Sequence, residues 1–205
     1  MKCDPREMET VLKSFEGVPV IRMGNYSYFV HPLTDGIPTI DPELQKCVSR
    51  LMISLLPDGI EFDLISTAEA MGIPLSSCIS EMMGVPYSIM RKRSYGVDGE
   101  VEAGQKTGYS SGRIYINVPK DARRTLIVDD VLSTGGTLKA LVKGIRESGV
   151  EPAAALIFVD KMKPLERREL ASVIKMDILS LVHVDIKGGK CMARPTADAS
   201  RVMDQ

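Results

Sequence analysis

The stretch that decides the fold is TLIVDDVLSTGGTLKAL, residues 125–141. It opens with the apolar run Leu126–Val128, which is typical of a strand buried on both faces of a parallel sheet. Apolar residues then recur at helical spacing from Leu138 to Ile145, and Gly149 supplies the glycine that commonly ends a helix. The stretch therefore predicts a strand, a tight loop and a helix in direct succession.

Polar groups cluster at the predicted junction of this strand and helix. Asp129 and Asp130 stand where the strand should end, at the edge where open α/β sheets bind ligands. A phosphate at the start of the helix would meet free N–H groups and the positive end of the helix dipole. Carboxylates beside a phosphate repel it unless they accept hydrogen bonds, and the vicinal hydroxyls of a ribose are suitable donors. The predicted ligand is therefore a phosphorylated sugar.

The alternative is an ordinary strand–turn–helix whose capping hydroxyls and acidic pair are merely solvated. The loop that would hold the phosphate consists of Ser133, Thr134, Gly135, Gly136 and Thr137.

Strand-like and helical segments alternate along most of the chain, which predicts an α/β fold with a doubly wound, mostly parallel sheet. Residues 1–205 are expected to form a single domain. The N-terminal part reads differently, with helices at 8–15 and 42–56 and an extended arm at 26–32. The other predicted strands are 62–65, 85–90, 113–117, 153–159 and 178–186, and the other predicted helices are 74–83 and 166–173.

Composition excludes several classes of protein. The 205 residues are 44% hydrophobic and carry a formal net charge of −1, so there is no bulk electrostatic case for binding nucleic acid or a membrane. Four cysteines stand apart from one another and from both histidines, which favours reduced thiols over disulfides or a zinc site. No signal peptide or long apolar run is visible, so the protein is expected to be cytoplasmic.

The acidic pair and its loop resemble the signature of the type I phosphoribosyltransferases, which is a buried strand, two acidic residues and a Thr-Gly-Gly-Thr loop. The resemblance implies that Asp129 and Asp130 are catalytic residues that bind the 2- and 3-hydroxyls of phosphoribosyl pyrophosphate (PRPP). It implies that residues 133–137 bind the 5-phosphate. The loop differs from a P-loop, since no lysine sits inside the cradle.

Two further segments are candidates for the pyrophosphate of PRPP. Ala68, Glu69 and Ala70 lie in a small-residue segment whose Glu-Ala-Met-Gly-Ile sequence is similar to that of xanthine phosphoribosyltransferases. The resemblance implies that its backbone amides hold pyrophosphate; otherwise it is a plain βα loop. Arg91 and Lys92 follow a predicted strand and could neutralise the same group. The alternative for these cations is a solvated strand end.

Residues 94–112 form the longest stretch without an apolar period, and five glycines are spaced through it. Long structureless loops in compact domains are usually lids or disordered segments. The resemblance implies a mobile catalytic loop here that closes over PRPP and excludes water. We therefore predict a lid, with disorder that serves no function as the alternative.

Lys161 follows the predicted strand at 153–159 and is the candidate for binding the base. In 6-oxopurine members of the resembling family, a lysine at this point donates to the purine O6. An ammonium has only donors, so it suits the O6 acceptor and is mismatched to the exocyclic amine of adenine. The bland alternative is a surface lysine. Many hypoxanthine–guanine enzymes have an aspartate where Ser133 stands, so this chain departs from their pattern. We name Asp130 as the candidate general acid or base.

The resemblance extends from about Tyr28 to Ile186 and is greatest to the archaeal-type hypoxanthine/guanine phosphoribosyltransferases. It implies transfer of phosphoribose from PRPP to a purine, with Mg²⁺ carried by PRPP, in a homodimer that binds neither nucleic acid nor membrane. Residues 1–57 would contribute a small hood over the base, or else an arm that packs aromatic side chains on the core. Adenine phosphoribosyltransferase is one alternative. A PRPP- or purine-sensing regulator is another, although fewer than thirty residues precede Tyr28 and that segment is not basic.

Overall fold

The computed structural model describes residues 5–24, 26–106 and 111–203. The chain alternates between strands and helices after a mixed N-terminal part. In chain order the elements are α1 (Pro5–Lys13), β1 (Val20–Met23), β2 (Tyr26–Phe29), α2 (Pro32–Asp35), α3 (Pro42–Ser54), β3 (Leu64–Ala68), α4 (Gly72–Met83), β4 (Tyr87–Met90), β5 (Val101–Lys106), β6 (Ser111–Ile116), β7 (Arg124–Leu132), α5 (Gly136–Glu147), β8 (Glu151–Asp160), α6 (Pro164–Ile174), β9 (Ile178–Lys187), β10 (Lys190–Pro195) and α7 (Ala197–Met203).

The centre of the molecule is a six-stranded sheet in the order β10-β9-β8-β7-β3-β4. Five neighbouring strands run parallel, and β10 returns antiparallel to β9 at one edge. The order reverses at β3 and β7, so the sheet is wound in both directions from its middle. The predicted doubly wound, mostly parallel α/β fold is confirmed.

Helices cover both faces of the sheet, and β8 shows how the sequence divides between them. Ala154, Leu156 and Phe158 join the apolar cluster under α1, α3 and α4, whereas Ala155 and Ile157 join the cluster under α5 and α6. Successive strand residues point to opposite faces, so an unbroken apolar run is what a strand between two helical layers requires.

The N-terminal part contributes to the core as well as to the rim of the molecule. Helices α1 and α3 bury Met8, Val11 and Leu51 in the main apolar cluster. Strands β1 and β2 form a separate antiparallel hairpin. The ring of Phe29 at the end of β2 is buried, with its centroid 6.0 Å from that of Phe15. The aromatic packing that we named as the alternative to a hood is therefore present.

The prediction of a structureless stretch over residues 94–112 was wrong for most of its second half. Residues 101–106 and 111–116 form the antiparallel hairpin β5–β6, so the strand predicted at 113–117 is not part of the main sheet. Ala103, Ile114 and Ile116 are buried in the cluster beneath α5. Gly104 and Gly112 interrupt the alternation of apolar and polar residues by which these two strands would be recognised in the sequence. Residues 107–110, which also fall in the predicted lid, lie outside the described residues.

Other boundaries also differ from the prediction. Strand β3 includes residues 66–68, which we assigned to a loop, and β7 continues past the acidic pair to Leu132. Strand β10 and helix α7 were not predicted. Among the described residues no helix is long and apolar enough to cross a membrane. Among the described cysteines, Cys47, Cys78 and Cys191 form no disulfide.

Candidate active site

The candidate site lies where the carboxyl ends of four neighbouring parallel strands meet, in the order β8-β7-β3-β4. Backbone hydrogen bonds continue past the strand ends and tie the site residues together. The N–H of Lys161 donates to the carbonyl of Leu132 at 2.9 Å, and the N–H of Glu69 donates to the carbonyl of Met90 at 3.0 Å. The acidic pair, the small-residue segment, the first of the two cations and the lysine, which are far apart in sequence, therefore share one edge of the sheet.

Asp129 and Asp130 lie inside β7 and not after it. Asp129 is buried, with 9% of its surface exposed, and Asp130 is half-buried. The backbone N–H of Asp130 donates to Oδ1 of Asp129 at 3.0 Å. This bond folds the first carboxylate back toward its neighbour, so the two acidic groups face a common region.

The acidic pair is costly to ionise completely. Burial raises the pKa of Asp129 to about 6, partly offset by hydrogen bonds from Asp130. Burial also raises the pKa of Asp130 well above its usual range, and the negative charge of Asp129 adds to that rise. Two carboxylates so placed are stabilised by any ligand that supplies hydroxyl donors or a cation.

The start of α4 approaches the acidic pair so closely that only glycine fits. A Cβ on Gly72 would lie 2.1 Å from Oγ1 of Thr67, 3.2 Å from Oδ1 of Asp129 and 3.2 Å from the carbonyl oxygen of Val128. The preceding loop carries a cis peptide bond between Glu69 and Ala70. The small-residue segment therefore sits directly beside the carboxylates.

The loop after β7 leads into α5 through a glycine turn. Gly135 has φ of +74° and is the N-cap of α5, which begins at Gly136. A Cβ on Gly135 would lie 2.6 Å from Cδ2 of Leu170 in α6, so this position also requires glycine. Ser133 and Thr137 are half-buried and Thr134 is exposed. The first turn of a helix with such a loop in front is suited to binding a phosphate.

Glu69 ties the ends of β3 and β4 together. Its carboxylate lies 3.2 Å from Nη1 of Arg91 and accepts a hydrogen bond of 2.5 Å from the backbone N–H of Lys92. The N–H of Lys92, followed by the guanidinium of Arg91, lowers the pKa of Glu69. Arg91 is thus partly neutralised by the protein, a contact that we did not predict, while Lys92 is exposed.

Lys161 is half-buried and its ammonium faces two aromatic rings. Its Nζ lies 5.9 Å from the centroid of Tyr28 and 5.6 Å from that of Phe29, within the range of a cation–π contact. The Tyr28 hydroxyl in turn donates to Oδ1 of Asp35 at 2.6 Å. The sequence analysis named the arm that carries Tyr28 as a possible part of the hood over the base. It did not identify Asp35, because a lone aspartate before Gly36 indicates only the end of a helix.

No group of three or more His, Cys, Asp or Glu side chains that could hold a metal ion is found in the described part of the chain. The oxygen-rich acidic pair is nevertheless the donor type that a hard cation such as Mg²⁺ prefers, together with oxygens from a ligand.

Comparison with known proteins agrees with this geometry. Residues 40–185 match the family described as "Phosphoribosyl transferase domain". A hypoxanthine/guanine phosphoribosyltransferase from Methanosarcina acetivorans is 48% identical over 182 residues, which cover 88% of this chain and 94% of the relative. Another, from Methanocaldococcus infernus, is 41% identical over 182 residues, covering 89% and 98% respectively.

Solved structures show the same fold. An adenine phosphoribosyltransferase from Thermoanaerobacter pseudethanolicus superimposes with a TM-score of 0.69, covering 86% of this chain and 99% of that one at 22% identity. At that identity the similarity concerns the fold alone. The family match and the archaeal relatives show that this chain belongs to the phosphoribosyltransferase family.

Proposed function

We propose that this phosphoribosyltransferase acts in purine salvage by transferring the 5-phosphoribosyl group of PRPP to N9 of hypoxanthine or guanine. The C1–N9 bond forms as the bond from C1 to pyrophosphate breaks, and the proton on the base nitrogen is released. The products are IMP or GMP and pyrophosphate. The archaeal relatives that span nearly the whole chain carry this activity in their names.

The observation that carries the proposal is the acidic pair in β7 immediately before the glycine turn of α5. We assign Asp129 and Asp130 to the ribose hydroxyls, because two carboxylates with raised pKa values gain most from hydroxyl donors. Residues 133–137 bind the 5-phosphate through backbone N–H groups and hydroxyls. A sugar phosphate spans both sites at once.

The pyrophosphate lies at the ends of β3 and β4 in this proposal. Residues 68–70 offer backbone amides, and Arg91 and Lys92 offer positive charge, so the leaving group is stabilised as negative charge develops on it. Glu69 holds Arg91 in place through their 3.2 Å ion pair. The Lys92 side chain is exposed, so Lys92 is a stronger candidate than Arg91 for direct contact with the pyrophosphate.

Mg²⁺ is the proposed cofactor and is carried by PRPP. It would supply charge neutralisation on the phosphate oxygens and order the substrate. Asp129 and Asp130 are the residues of this chain best suited to assist it, because a nearby cation offsets the cost of ionising both buried carboxyls. The remaining ligands in this proposal are oxygens of PRPP and water.

Base recognition rests on Lys161. Its ammonium donates to O6 of an oxopurine, and the neighbouring rings of Tyr28 and Phe29 give the base pocket an apolar side. Adenine offers a donor where O6 would be, so the same ammonium disfavours it. Residues 94–112 are the proposed lid that excludes water from the oxocarbenium-like transition state.

A nucleobase panel tests the function directly. Purified protein, Mg²⁺ and PRPP are incubated with hypoxanthine, guanine, xanthine, adenine or orotate, and nucleotide formation is followed. We expect turnover with hypoxanthine and guanine. Preference for adenine would overturn the base assignment and keep the PRPP site. No turnover with any base, alongside measurable PRPP binding, would favour a sensor.

Replacing Lys161 separates base recognition from PRPP binding. Lys161→Ala should raise the KM for hypoxanthine or guanine about tenfold or more, because a charge-assisted hydrogen bond to O6 is lost. The KM for PRPP should change little. Lys120→Ala, at an exposed turn, is the matched control and should leave both constants unchanged. An equal loss on both substrates would contradict O6 recognition by Lys161.

We further propose that the protein is a cytoplasmic homodimer. The sheet ends in the short edge strand β4, and Met82 of the adjoining α4 is 39% exposed, which supports an interface on that side. Sedimentation equilibrium of the purified protein would test it, and a monomer at micromolar concentration would contradict it.

A further inference from the structure

Asp35, at the end of α2, binds a set of donors that none of the assignments above uses. Its carboxylate accepts from the Tyr28 hydroxyl at 2.6 Å, the backbone N–H of His31 at 2.8 Å and the Thr34 hydroxyl at 2.7 Å. All three donors are neutral, so the site holds a carboxylate without a bonded cation among these partners. These three hydrogen bonds fix the position of the Asp35 carboxylate and, through it, the position of the Tyr28 hydroxyl.

The frame behind Asp35 is rigid because His31 is fully buried. The imidazole stacks on Phe15 of the segment after α1, with ring centroids 4.3 Å apart. Its Nδ1 accepts from the N–H of Leu33 at 3.1 Å, and its Nε2 lies 2.9 Å from Oγ of Ser14. Helix α2 is thereby fastened to the N-terminal segment rather than left as a free arm.

Asp35 also stands beside the two other parts of the candidate site. Its negative charge contributes to the raised pKa of Asp130, so the two carboxyls are electrostatic neighbours. The following residue, Gly36, lies against the side chain of Met71, whose Cε would be 3.7 Å from a Cβ at that position. The α2 corner thus lies between the acidic pair and the small-residue loop.

The Tyr28 side chain contacts both Asp35 and Lys161. Its hydroxyl donates to Asp35, and the Lys161 ammonium lies 5.9 Å from the centroid of the Tyr28 ring. The Tyr28 side chain cannot swing away from the ammonium about χ1 without breaking the hydroxyl bond. The Phe29 ring lies next to the Tyr28 ring, with centroids 6.0 Å apart, and is held independently by the core.

We propose that Asp35 is a positioning residue for purine selection, which holds the Tyr28 ring against Lys161 so that the ammonium is directed toward the 6-oxo group. This inference rests on the proposed function and on Lys161 as the O6 donor. Asp35 acts through Tyr28 and does not touch the reacting atoms. It therefore affects how well the base binds rather than how PRPP binds.

The test is a set of variants assayed with hypoxanthine and PRPP, once the wild type has shown turnover. Tyr28→Phe keeps the ring and removes only the hydroxyl, and Asp35→Asn removes the charge. Each should raise the KM for hypoxanthine about tenfold, the size expected for a hydrogen bond to a charged group. The KM for PRPP should stay within about twofold in Tyr28→Phe, which keeps the charge beside Asp130, whereas Asp35→Asn removes that charge and is judged by hypoxanthine alone. Tyr87→Phe, a tyrosine on β4, is the control and should change neither constant.

Two combinations decide whether the residues act as one unit. The double variant Tyr28→Phe/Asp35→Asn should be no worse than the more affected single variant, because both changes act on the bond between the Tyr28 hydroxyl and Asp35. In a Lys161→Ala background, Tyr28→Phe should cause no further rise in the KM for hypoxanthine. Additive losses, or an equal rise in the KM for PRPP, would overturn the proposal.

A failure of the proposed function would look different. In that case the wild type itself would not use hypoxanthine or guanine. If only this inference fails, the wild type is active, and the variants change neither KM or change the KM for hypoxanthine and the KM for PRPP equally. Thermal unfolding of each variant completes the set. If Asp35→Asn does not fold, Tyr28→Phe alone tests the proposal, since it removes the hydroxyl and keeps an aromatic ring of the same size.

Discussion

Strands β7 and β8 are neighbours in the sheet, and both carry acidic side chains near their carboxyl ends. The pair Asp129 and Asp130 on β7 and the single Asp160 on β8 have different surroundings. On β8, Asp160 is 2% exposed, and its Oδ2 lies 3.3 Å from Nε of Arg167. It also accepts from the N–H of Met162 at 2.8 Å. On β7, the main influences on Asp129 and Asp130 are burial and each other.

We interpret the difference as that between a structural carboxylate and one that binds a ligand, as proposed above. Burial raises the pKa of Asp160 as well, but the Met162 N–H and the Arg167 charge oppose the rise. Arg167 also pairs with Asp198, so the protein completes this network itself. The pair on β7 is stabilised fully only when donors or a cation arrive from outside, which is what a binding site for PRPP and Mg²⁺ requires.

The largest expected effect comes from removing the charges on β7. The double variant Asp129→Asn/Asp130→Asn should lower kcat/KM for PRPP on the order of 1,000-fold, because the ribose and metal contacts are lost together. The same change should raise the unfolding temperature of the ligand-free protein at neutral pH, because the cost of ionising two adjacent, largely buried carboxyls disappears. Steady-state kinetics and calorimetry measure the two effects.

Asp177→Asn, which alters an exposed carboxylate after α6, is the control for this variant and should leave both quantities unchanged. If the double variant kept its activity, the ribose assignment would be wrong. If it lost activity and stability together, the acidic pair on β7 would be structural, like the carboxylate on β8.

The reverse pattern is expected on β8. Arg167→Met removes the cation shared by Asp160 and Asp198 and leaves both carboxylates without it. Breaking a buried ion pair from one side should lower the free energy of unfolding by about 3 kcal/mol. Activity of the remaining folded protein should fall far less than in the β7 variant. Urea unfolding measures the loss of stability, and enzyme assays at low denaturant measure the remaining activity. An unchanged free energy of unfolding would contradict the structural role that we give to Asp160.

A smaller effect concerns pH. The folded pKa of Asp129 is raised to about 6, above its ordinary value of 3.8, so the folded state binds more protons than the unfolded state in that interval. Its contribution to stability is therefore present below the unfolded pKa and is lost as pH rises through about 6. The stability advantage of the Asp129→Asn/Asp130→Asn variant should shrink as pH falls from about 7.5 to about 4.5.

The difference between variant and wild type is the quantity to measure, because other titrating groups are common to both. His31, whose pKa burial lowers to about 4, cancels in this way. A difference in unfolding temperature that stayed constant across the interval would show that the raised pKa of the pair does not govern stability.

Much of the fold could be predicted because the strands of a two-faced sheet are long apolar runs. Leu126–Val128 and residues 153–159 stand out for that reason, and both form central strands. The hairpin β5–β6 could not be predicted so easily, since its glycines interrupt the alternation of Val101, Ala103 and Ile114. Its burial under α5 is a tertiary contact that no local pattern reveals.

For the candidate site, sequence indicated the residues whose chemistry is local and missed those whose role depends on distant partners. The acidic pair and the glycine turn are adjacent in sequence, so their combination was visible. The ion pair between Glu69 and Arg91 joins residues 22 positions apart. The bond from Tyr28 to Asp35 depends on how α2 turns back on β2.

Helix α1 packs against β10, so the first described element is covered by one of the last. During synthesis, Met8, Val11 and Phe15 emerge long before Ala193 and its neighbours can cover them. At typical translation rates of about 5–20 residues per second, that interval is roughly 10–40 s. Helix α3 can cover part of the apolar face of α1 early, but the part that packs on β10 stays exposed in the nascent chain until that strand appears.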